Sequence, residues 1–117
     1  MFTIHHTQAG NLPALEMLTA TEGTYVVGQA LKLASGGLAA CGATDKPDYI
    51  SMQAGDGGTL TVLPVCQDTV YACASTAAPT VGTKVTLSTD GLSVTATTTG
   101  GVATVLAVRN GEVLVKF

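Results

Sequence analysis

The sequence predicts an all-β fold: a small, compact antiparallel barrel or sandwich with an extended N-terminal arm and little helix. Three observations lead there. Asn110-Gly111 and Asp90-Gly91 each separate two runs in which apolar and polar residues alternate, the strongest short-range signal for a tight hairpin. From Tyr25 onward, short runs rich in Val, Thr, Leu and Tyr recur between Gly, Pro, Asp and Asn punctuation. The one segment able to turn helically, "LPALEML", is long enough for one or two turns at most.

The elements follow in order. Residues 1–21 lack period-two alternation and read as an arm that orders only when something docks it. Residues 22–117 then form a single β domain, in keeping with a chain of 117 residues. Candidate strands run over 24–34, 37–41, 48–54, 58–66, 69–75, 82–89, 92–98, 102–109 and 112–117. Residues 60–66 and 69–75 are expected to pair around Gln67-Asp68-Thr69, which would set Cys66 near Val70.

The last two hairpins allow a register to be written down. With Asn110-Gly111 as a two-residue loop, Arg109 faces Glu112, Val108 faces Val113, Ala107 faces Leu114 and Leu106 faces Val115. One face then collects Leu106, Val108, Val113, Val115 and Phe117. The other collects Val105, Arg109, Glu112 and Lys116, with a cross-strand ion pair between Arg109 and Glu112. Around Asp90-Gly91, Leu87 meets Val94 and Val85 meets Ala96 inside, while Ser88 meets Ser93 and Thr86 meets Thr95 outside.

Charged residues make up 11% of the chain, against roughly 25% in an ordinary soluble domain. Thr, Ser, Gly and Ala stand in their place. Such a surface is polar but neutral, and burying a hydroxyl that finds a partner costs far less than burying an ion. The composition therefore points to an exterior that packs against other protein. A net charge of −3 with five scattered basic residues rules against a nucleic-acid surface, which needs clustered Lys and Arg to neutralise phosphates. No apolar run approaches the ~20 residues of a membrane helix, and the N-terminus lacks the pattern of a secretory signal. A cytosolic chain, or one carried in a larger particle, is the expectation.

Residues able to do chemistry are few. Cys41, Cys66 and Cys73 are odd in number without a C-x-x-C, and read as reduced thiols acting as small apolar side chains. His5 and His6 are neighbours, and on an extended arm they point to opposite sides, poorly placed to share a metal. Asp45 and Asp48 flank Pro47 in a turn-forming loop. "QAGDGG" at residues 53–58 lacks the lysine and helix of a phosphate loop and offers calcium one carboxylate. Tyr25, Tyr49 and Tyr71 fall in candidate strands as core or interface side chains. No catalytic, cofactor or metal site emerges, so no enzyme activity and no cofactor are expected.

Turn and strand patterns nevertheless carry a resemblance. "TYVVGQALKLASGGLAACGATDKPDYISM", followed by "VGTKVTL", a Gly-bearing hairpin and the terminal "NGEVLVKF", resembles the small capsid decoration proteins of tailed bacteriophages and prophages, which stabilise the head. It covers roughly residues 22–117. What it implies is a β-tulip-like domain that sits as a homotrimer on the outside of the capsid and clamps the major capsid protein. The protein would be made in the bacterial host cytoplasm, with no nucleic acid or membrane partner. The arm that orders on the shell would match residues 1–21, with Phe2, Ile4, His5, His6, Leu12 and Leu15 as capsid-binding residues; deleting 1–20 should then leave the fold intact. The three thiols and the His5-His6 pair have no counterpart in that pattern. A monomeric β module for binding a carbohydrate or a surface is the alternative, and a small enzyme a third for which the sequence supplies no constellation.

Overall fold

A computed structural model describes residues 1–7 and 14–117. The described residues are all β, with no helix, and form two sheets. The first sheet has five strands in the order β1-β7-β10-β9-β8: β1 (Thr3–Thr7), β7 (Thr69–Ala74), β10 (Glu112–Lys116), β9 (Ala103–Arg109) and β8 (Lys84–Val85). The second closes into a barrel in the order β2-β4-β3-β5-β6: β2 (Glu16–Ala20), β4 (Gly37–Ala40), β3 (Ala30–Ala34), β5 (Tyr49–Ser51) and β6 (Gly58–Pro64). The named strands pair antiparallel except where β2 meets β4, a parallel contact at Ala20 and Leu38.

Two apolar cores follow from this division. Leu31, Leu38, Leu60 and Val62 point into the barrel with Ala20 and Tyr25. Each fully buried Leu or Val contributes about 1.5–3 kcal/mol by leaving water. The Tyr25 hydroxyl stays satisfied there by donating to the carbonyls of Thr21 (2.9 Å) and Leu38 (3.2 Å). The larger core lies on the inner face of the five-stranded sheet, where Tyr71, Val105, Val113 and Val115 meet Phe2, Ile50, Val85, Leu87 and Val94.

The N-terminal segment departs from the expected arm. Phe2 is 2% exposed and makes an edge-on ring contact with Phe117 at 5.4 Å. Its N–H donates to the Gly28 carbonyl, and β1 extends the sheet by pairing with β7. Residues 16–20 close the barrel against β6, from Glu16 opposite Val62 to Ala20 opposite Gly58. A five-residue strand that fills a sheet edge next to a buried aromatic ring, Phe2, needs no alternation to be strand. Here tertiary pairing overrides the local pattern.

The expected pairing of 60–66 with 69–75 is also replaced. The chain leaves β6 in the barrel, turns at 66–69, and enters β7 in the other sheet. Thr69, Val70, Tyr71, Ala72 and Cys73 are all buried, so β7 has two covered faces and takes an interior place in its sheet between β1 and β10. Candidate strand 24–34 survives only from Ala30, because Gly28 turns the chain with φ at +80°.

The two hairpin registers hold near their turns and fail beyond them. Asn110 and Gly111 adopt φ of +47° and +80°, as a two-residue loop requires, and Arg109, Val108 and Ala107 face Glu112, Val113 and Leu114. A bulge between Leu114 and Val115 then sets Val115 opposite Val105 instead of Leu106. Val105 turns into the core, while Leu106 and Val108 remain exposed at the sheet margin. Arg109 and Glu112 are opposite but form no ion pair. Around Asp90-Gly91, Leu87 bridges Val94, Ser88 bonds Ser93, and the Thr86 and Thr95 hydroxyls meet at 2.7 Å. The ladder stops there because Val85 pairs with Ala103 of β9 rather than with Ala96.

Candidate functional site

Of the six residues expected to contact a capsid, the structure exposes three. His5, His6 and Leu15 face solvent, Ile4 is half-buried opposite Tyr71, Phe2 is core, and Leu12 lies outside the described residues. The histidines do not point apart as expected. The register shift between Ile4 and His6 bulges the strand at His5 and brings the two Nδ1 atoms to 2.7 Å, so one ring donates to the other. Among the described residues no group of three or more His, Cys, Asp or Glu side chains is placed to hold a metal ion.

The acidic loop is structural in its contacts. Asp45 accepts from the Gly42 N–H at 2.8 Å and from Lys32 Nζ at 2.7 Å, while Asp48 accepts from the Leu33 N–H. The lysine hydrogen bond, then the Gly42 amide, hold the Asp45 carboxyl below its ordinary value. Both charges are solvated, so the pair adds little to stability.

Burial pushes the Cys41 and Cys73 thiols up to about 12 each, with the carboxylate of Asp45 adding to the effect at Cys41. The thiolate is the reactive form. Native protein treated with iodoacetamide at pH 8 should therefore be modified at half-buried Cys66 alone, with Cys41 and Cys73 reacting only after unfolding. Peptide mass spectrometry checks this; rapid native modification of Cys73 would contradict the packing.

The surface that distinguishes the molecule is apolar. All three methionines of the chain, Met1, Met17 and Met52, are exposed. Met17 on β2 faces Thr61 on β6, and the Met52 N–H donates to the Thr61 carbonyl, continuing the β5–β6 ladder. Leu60 and Val62 point into the barrel, so Thr61 and the two methionines point outward in a row across three strands. Leu15 lies just before β2 and is also exposed. Met52 and Met1 line the same cavity, which joins the row to the seam between the two sheets. Sequence reading missed this row because Met17 fell in the arm and Met52 in an unassigned face of strand 48–54.

No known protein family, curated protein or solved structure matches the chain. Among the described residues no helix is long and apolar enough to cross a membrane.

Proposed function

We propose that the protein is a structural virion component that binds the outer surface of a phage capsid as a homotrimer and stabilises the head. The observation that carries this reading is the uncharged, methionine-bearing row Met17–Thr61–Met52 on a chain with few charges. Methionine is flexible and polarizable, and suits a surface that must adapt to another protein. Contiguous exposed apolar groups mark interaction sites more often than chance. Neutral hydroxyl-rich surroundings lower the cost of burying the rest of the contact.

The reading predicts a trimer mass by light scattering behind size exclusion, and sedimentation of the protein with undecorated capsid shells. Met17→Glu combined with Met52→Glu would bury two unpaired carboxylates in any such contact. That double variant should keep the wild-type melting temperature and lose at least about 100-fold in shell binding, roughly 3 kcal/mol. A monomer at high micromolar concentration that ignores the shells would overturn the proposal.

A further inference from the structure

His5 and His6 take no part in either core, yet the fold brings them together. Consecutive side chains on a regular strand point to opposite faces, where two imidazoles do not meet. β1 is not regular at this point. Ile4 stands opposite Tyr71 and His6 opposite Val70, so His5 is an extra residue without a partner on β7. The bulge turns the two exposed rings toward each other, with Nδ1 atoms 2.7 Å apart and ring centroids at 5.0 Å. Bulges are over-represented beside active sites, where they re-aim a side chain.

The contact is a hydrogen bond while one Nδ1 carries the proton. Moving that proton to Nε2 of the same ring gives the other neutral tautomer and leaves both Nδ1 lone pairs free for a cation. Imidazole nitrogens sit about 2.0–2.1 Å from a bound metal, so two at right angles around one ion lie about 2.9 Å apart. The Nδ1 pair is within about 0.2 Å of that spacing, and rotation of two solvent-exposed rings aims both lone pairs at one ion. A right-angled pair of nitrogens suits the square-planar or tetragonal preference of Cu²⁺ and Ni²⁺ better than tetrahedral zinc.

We infer that His5 and His6 form a bidentate site for a divalent cation of the Cu²⁺ or Ni²⁺ type, held through the two Nδ1 atoms with water in the other positions. No third His, Cys, Asp or Glu among the described residues joins them, so those positions face solvent. The site lies on the β1 edge of the five-stranded sheet, apart from the methionine row on the barrel, and does not depend on the capsid reading.

The test titrates Ni²⁺, which does not oxidise thiols, into the full chain by calorimetry. One equivalent should bind. His5→Ala and His6→Ala should each weaken binding at least about tenfold, because either change removes the chelate, with the melting temperature unaltered. Cys66→Ser should bind as the wild type does. An acetylated peptide of residues 1–7 lacks β7 and therefore the bulge, and should bind at least about tenfold more weakly than the folded protein. Absence of binding, or wild-type affinity in either histidine variant, would overturn the site. Loss of binding in Cys66→Ser would move the ion to the thiol and overturn it equally. A peptide that matches the protein would overturn the part given to the bulge.

Discussion

Phe2→Ala is expected to cost about 3–5 kcal/mol of stability, the range for deleting a buried aromatic ring, although the residue stands second in the chain. The ring touches Phe117 at 5.4 Å and packs with Tyr71 and Ile50 in the larger core. The neighbouring cavity limits how far that region can collapse to refill the space. Urea unfolding should show the midpoint fall with little change in slope. Removing residues 1–7 altogether should do more: it strips β1 from β7 and opens the core, so no cooperative transition should remain. An arm that merely awaits a partner would give the opposite result, with wild-type stability in both variants. The two accounts of the N-terminus are separated by one melting curve.

The second large effect concerns Gly37. Its φ is +135°, a region that side-chain-bearing residues rarely adopt, and a Cβ added there would lie 2.6 Å from the Thr19 carbonyl oxygen. That carbonyl belongs to β2, and this is where the parallel β2–β4 contact closes the barrel. Gly37→Ala should therefore cost about 3 kcal/mol or more, combining backbone strain with an overpacked backbone contact. Gly36→Ala provides the control. Gly36 also has positive φ, at +92°, but its added Cβ would meet nothing within 4 Å. It should cost only about 1 kcal/mol, the strain alone. If the two substitutions prove equal, the barrel does not close over Gly37 as described.

How much of this was legible depended on how local the signal was. Asn110-Gly111 specifies its own dihedral angles, so the hairpin and its first three pairs could be written from the residues alone. The bulge beyond Leu114 could not, because Val105 and Leu106 are equally apolar and only the demands of the core choose between them. Val85 is similar: Ala96 and Ala103 are both acceptable partners, and β9 wins by arriving alongside. The row of exposed methionines illustrates the same point at the surface. Met17 and Met52 are 35 positions apart in the chain, and become neighbours only through their shared partner Thr61.

Composition and turn chemistry thus decided the class of the molecule: all-β, sparsely charged, with tight reversals at Asp90-Gly91 and Asn110-Gly111. Folding decided the rest. It drew residues 3–7 and 16–20 into two different sheets and split β6 from β7. The reason is one of range: dihedral preferences act within a few residues, whereas which strand borders which, and where space remains unfilled, are settled by packing between segments far apart along the chain.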